Sequence, residues 1–98
     1  MTNIQKPLSE EEVKSKTKSL NKDWQIFNNK EMSRVFNFDG FKEAIDFVNK
    51  IADIAIEMDH HPAISIDYDK VIIELSTHKV GGLTEKDFDL AGKIEEII

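Results

Sequence analysis

Residues 41–78 read FKEAIDFVNKIADIAIEMDHHPAISIDYDKVIIELSTH, and the hydrophobic period of this stretch changes halfway along. From Phe41, the residues Ala44, Ile45, Val48, Ile51, Ala52, Ala55 and Met58 recur at the three- and four-residue spacing of one helical face. Phe47 and Ile54 lie partly off that stripe and widen it, as suits a helix that packs on a sheet and also meets a neighbouring subunit. Pro62 forbids continuation and pushes the residue before it out of helical geometry, so His60 and His61 fall at the helix end or just past it. Beyond the proline the period becomes two. Ile64, Ile66 and Tyr68 alternate with Ser65 and Asp67, while Val71, Ile73 and Leu75 share one face and Ile72, Glu74 and Ser76 the other. This predicts a hairpin of Ala63 to Tyr68 and Lys70 to Thr77 around Asp69.

Upstream, Trp24 to Phe27 and Glu31 to Phe38 flank the turn-forming cluster Asn28-Asn29-Lys30 and read as another hairpin. Met32, Arg34, Phe36 and Phe38 share one of its faces, an alternation made imperfect by the arginine and by Val35 opposite. Ser9-Glu10-Glu11-Glu12 has the capping-box pattern and predicts a short surface helix to about Leu20, with Val13, Thr17 and Leu20 inward. Downstream, Gly81-Gly82 opens a loop, and Thr84-Glu85-Lys86-Asp87 repeats the cap pattern, with Asp87 placed to return it. The last helix then runs to Ile98, with Phe88, Ala91, Ile94 or Glu95, and Ile98 inward. The order α-β-β-α-β-β-α predicts an α+β fold, a four-stranded antiparallel sheet with three helices on one face. Residues 1–98 are expected to form a single domain, residues 1–8 being a loose lead-in.

Composition narrows the function classes. With no Cys, disulfides and thiolate metal sites are excluded. A net charge of -6 argues against an electrostatic grip on nucleic acid or an anionic membrane. No leader-like apolar region or membrane-length run is present, so a cytoplasmic address is the default expectation. At 98 residues the core is modest, and a deep site is expected to need a second subunit.

All three histidines, His60, His61 and His78, lie at predicted element ends, where side chains leave the core and can share a cleft. Imidazole both takes and gives protons near neutrality. Three other readings stand beside acid/base chemistry: histidines interacting with a helix's C-terminal carbonyls, a three-histidine zinc site, and a solvated pair without a role. Adjacent His60 and His61 are poorly arranged to aim both rings at one ion.

The ordered set His60-His61-Pro62, Tyr68, His78 and Asp87 resembles the pterin-4a-carbinolamine dehydratase family, also known as the dimerisation cofactor of a homeodomain transcription factor. Leu75-Ser-Thr-His78, Gly82-Leu-Thr-Glu-Lys-Asp87, Leu8-Ser-Glu-Glu, Trp24 and Phe36-x-Phe38 extend the likeness over nearly the whole chain. The resemblance implies dimers or tetramers and a 4a-hydroxytetrahydropterin substrate that loses water to give a quinonoid dihydropterin, as in tetrahydrobiopterin recycling. Loss of water by histidine acid/base chemistry requires no metal or redox cofactor, and none is expected. It implies that His60 and His78 are the acid/base pair, that His61 orients the pterin, and that Asp59, Ser76, Thr77 and Lys79 line the substrate. Asp87 matches the motif but has a sufficient job as a helix cap, and Tyr68 and Trp24 are expected to be packing residues. One position departs. The family's acidic residue four before the first His is Ile56 here, and Glu57 sits one residue nearer, rotated by about 100° on the helix. Either Glu57 substitutes through a local distortion or the site lacks that carboxylate. The competing function is a non-catalytic interaction module that uses the wide helix face.

Overall fold

A computed structural model describes residues 6–98. The elements are α1 (Glu10–Thr17), β1 (Gln25–Phe27), β2 (Glu31–Asn37), α2 (Phe41–Met58), β3 (Ala63–Asp67), β4 (Lys70–Leu75), a 3-10 turn at His78–Val80 and α3 (Glu85–Glu96). The strands form the single four-stranded antiparallel sheet that the sequence predicts, and the structure sets their order as β1-β2-β4-β3.

Turn chemistry closes the first hairpin. Asn28 and Asn29 both take positive φ, 52° and 58°, and Lys30 N–H donates to Phe27 O at 2.9 Å. Two left-handed central residues are what a type I′ turn requires, and asparagine tolerates that region. β2 and β4 then pair with Met32 opposite Leu75, Arg34 opposite Ile73 and Phe36 opposite Val71, which puts the inner residues side by side. Met32, Val71, Ile73 and Leu75 are fully buried there. α2 covers them with Ala44, Phe47, Ile51 and Ala55, and α3 adds Phe88, Leu90, Ala91 and Ile94.

The arginine on the apolar face has a physical explanation. Its guanidinium lies 4.6 Å from the Phe36 ring centroid and 5.8 Å from that of Trp24, so aromatic faces take the place of water. Arg34 Nη1 donates to Glu95 Oε1 at 3.0 Å, and Trp24 Nε1 donates to the same oxygen at 3.1 Å. Glu95 therefore turns inward beside Ile94, each for a different purpose.

Several expectations need correction. α1 stops at Thr17 instead of reaching Leu20: Lys18 caps the end, and the Ser19 and Leu20 N–H groups turn to carbonyls three residues back, Lys16 O at 3.2 Å and Thr17 O at 3.1 Å. Phe47 belongs to the core, whereas Phe41 is 52% exposed at the open first turn of α2. Tyr68 does not pack; it sits in the turn after edge strand β3 with φ 54° and is 65% exposed. Ile98 lies past the end of α3 and is exposed, and Leu90 takes the inward place. Of the lead-in, residues 1–5 lie outside the described residues. Its last residue is not loose: Leu8 packs against the core and its N–H donates to Leu83 O at 2.8 Å. Among the described residues no helix is long and apolar enough to cross a membrane.

Candidate functional site

The end of α2 places the first histidine. Asp59 takes the left-handed conformation (φ 53°, ψ 43°), and its N–H donates to Ile56 O at 3.2 Å while His60 N–H reaches Ala55 O at 3.1 Å. These are the two hydrogen bonds of a Schellman motif, which satisfy carbonyls left open at a helix end and reverse the chain. The reversal carries the His60 ring back inside, where it is buried, while His61 stays exposed and Pro62 leads into β3.

β4 and α3 supply the other walls. Past Leu75 the chain leaves the sheet, and the Ser76 hydroxyl donates to Lys30 O at 3.0 Å, which ties this exit to the first hairpin. A bridge between Thr77 and Gly82 closes a small loop whose 3-10 turn opens at His78. The strand ends at Leu75, short of the Thr77 expected from the sequence, so His78 stands three residues past its last member. Gly82 allows a close approach: a Cβ there would lie 2.7 Å from Pro7 Cβ.

Asp59, His60, His61, Ser76, Thr77, His78, Lys79 and Lys86 line one cleft of about 300 Å³. The three histidines thus meet from two distant stretches of chain. Glu57 does not join them; with Ile54, Met58, Lys93, Glu96 and Ile97 it lines a separate groove between α2 and α3. Neither Ile56, which is 69% exposed, nor Glu57 lines the cleft, so the last turn of α2 contributes no carboxylate to it.

Beneath the cleft lies a residue that matches the family motif and whose simplest reading from sequence is a cap. Asp87 returns the cap of α3, accepting the Thr84 N–H at 2.9 Å on Oδ2. It also accepts the Thr77 hydroxyl on Oδ2 at 2.8 Å and pairs with His60 Nε2 through Oδ1 at 2.6 Å. Its side chain has no exposure. A buried carboxylate is tolerable only when its acceptors are filled, and here both oxygens are. The sequence held the signal, Asp87 in the motif order, but its partner His60 is 27 positions away and no local pattern reveals it. Lys86 is a second residue missed; it precedes Asp87 on the first turn of α3 and reaches the cleft wall.

Fold and site define a class of small α+β protein with a histidine-lined cleft where the ends of α2 and β4 meet the start of α3. Comparison with known proteins makes the class particular. The family model for pterin 4 alpha carbinolamine dehydratase matches residues 6–97, and the chain belongs to that family. A relative from Sulfolobus acidocaldarius, named "Putative pterin-4-alpha-carbinolamine dehydratase", is 48% identical over 90 residues, 92% of this chain and 97% of its own. One of the same name from Picosynechococcus is 52% identical over 75 residues, 76% of this chain and 80% of its own. The crystal structure of a transcriptional coactivator/pterin dehydratase from Brucella melitensis superposes with a TM-score of 0.86 at 33% identity, covering 93% of this chain and 97% of that one.

Proposed function

We propose that this protein dehydrates a 4a-hydroxytetrahydropterin by histidine acid/base catalysis, and that tetrahydrobiopterin recycling is the setting. In the reaction the C–O bond at the carbinolamine carbon breaks and its electron pair leaves with oxygen, which takes a proton and departs as water. A ring nitrogen loses its proton, and the freed pair forms the C=N bond of the quinonoid product. One acid and one base suffice, and imidazole serves as either near neutrality. The reading rests chiefly on one observation: His60 is held by a buried carboxylate at 2.6 Å in a cleft that His61 and His78 also line. A ring fixed in this way has its proton position set by its partner, as a general acid or base requires.

Roles follow from which side chains are already engaged. Among the described residues, the Ser76 and Thr77 hydroxyls donate within the protein, whereas no hydrogen bond or ion pair involves the side chains of Asp59, His61, His78 or Lys79. The latter group is therefore the one open to a ligand. In this reading His60 and His78 exchange protons, His61 orients the ring, and Asp59 and Lys79 meet its polar edges. The expected homodimer or homotetramer belongs to the same proposal. It is supported by the apolar stripe Phe41, Ile45, Val48, Ala52 and Ile56, which α2 leaves exposed or half-buried.

The direct test follows the decay of 4a-hydroxypterin absorbance. Wild-type protein is expected to accelerate it, and His60→Ala and His78→Ala each to lower the rate by about 10²–10⁴-fold. Full activity in both variants would defeat the assignment. Exposed Ile56 at the family's carboxylate position favours one second reading, a non-catalytic interaction module on the same fold. Equal decay with and without folded protein would select it.

A further inference from the structure

Proton bookkeeping around Asp87 gives the hydrogen bonds a direction. An ionised carboxylate has only acceptors, so each neighbour must bring its own proton. A threonine hydroxyl has one, and that of Thr77 goes to Asp87 Oδ2 at 2.8 Å. Thr77 Oγ1 also lies 2.8 Å from Thr84 Oγ1. With its proton committed, Thr77 can only accept there, so Thr84 donates. On the other oxygen, Oδ1, His60 must donate from Nε2.

We infer that the hydroxyls of Thr84 and Thr77 are positioning groups, forming a one-way hydrogen-bond chain into Asp87 that holds His60 as its Nε2-protonated tautomer and leaves Nδ1 as the nitrogen that exchanges a proton with the ligand. The inference deepens the acid/base reading of His60 and rests on it. The chain joins three elements: Thr84 caps α3, Thr77 follows β4, and His60 follows α2. The proton taken from the substrate stays on His60 Nδ1 until it leaves for solvent. Thr84 is buried at 3% exposure and does not line the cleft, so its effect on the reaction passes through Thr77 and Asp87.

The test is ring nitrogen NMR on full-length protein carrying ¹⁵N-labelled histidine, with His60 assigned by the signals lost in His60→Gln. In wild type, Nε2 is expected to keep its proton while Nδ1 gains and loses its own on titration. Thr77→Val and Thr84→Val are expected to mix the tautomers and lower kcat about tenfold, with KM unchanged in the Thr84 variant. Thr84→Ser, which keeps the hydroxyl at a position outside the cleft, is expected to hold both near wild type. A wild-type His60 protonated at Nδ1 in its neutral form overturns the inference, as do valine variants that match wild type in tautomer and kcat. The wild-type tautomer decides alone if a valine variant fails to fold. The expected tautomer in a protein without dehydratase activity sinks the functional reading and leaves the chain standing; an active enzyme with the opposite tautomer does the reverse.

Discussion

Two helices of this protein begin with the same device in opposite surroundings. At α1, Ser9 N–H donates to Glu12 Oε1 at 2.8 Å, and Glu12 N–H donates to Ser9 Oγ at 3.2 Å, all in solvent. At α3, Thr84 N–H donates to Asp87 Oδ2 at 2.9 Å, with the acid wholly buried. The backbone geometry is nearly shared, yet only the second acid acquires partners from distant parts of the chain, a hydroxyl and an imidazole. A cap is a local event, set within four residues. A site arises when burial denies the cap's remaining lone pairs any water and other parts of the chain must fill them.

The contrast has measurable consequences. Asp87→Ala is expected to have the largest effect: an activity loss at least as great as that of His60→Ala, with about 3 kcal/mol of stability lost because a buried cluster loses its centre. Dehydration kinetics and urea unfolding measure the two parts. If Asp87→Ala and Ser9→Ala cost the same, burial does not make the difference claimed. Glu95→Ala probes an intermediate environment, since the Glu95 side chain is 29% exposed and its oxygen holds both Arg34 and Trp24. A stability loss of about 1–3 kcal/mol with normal kcat is expected. Ser9→Ala should cost about 1 kcal/mol and leave dehydration untouched.

The smallest effect is one of pH. The Ser9 backbone N–H, helped by the Ser9 side chain, holds the Glu12 carboxyl below the usual glutamate value. Its contribution to stability is therefore present above that usual value and is lost as pH falls through the lowered folded one. Wild type and Glu12→Gln should differ slightly in urea midpoint near neutrality and converge in acid. A gap that widens in acid would contradict the assigned direction.

The same contrast explains what was legible in the sequence. α2, both hairpins and both caps follow from periodicity, turn residues and a proline, all read within a few positions. The family motif brought His60, His61 and His78 together on paper, and the structure gathers them in one cleft. Partnerships across the chain were not legible. Arg34 looked misplaced because Glu95 lies 61 positions away, and Asp87 looked complete as a cap because Thr77 and His60 arrive from other elements. Alternation also overstated the inner face of β3. An edge strand is covered on one side only by what reaches that far, and beyond half-buried Ile64 little does: Ile66 is 40% exposed.

The narrow seam at Gly82 gives the cleft a remote handle. Pro7 rests where a side chain at position 82 would stand, and Gly82 O in turn receives the Thr77 N–H at 2.8 Å. Alanine there would wedge the amino-terminal segment away and pull on the residue that feeds the Asp87 carboxylate.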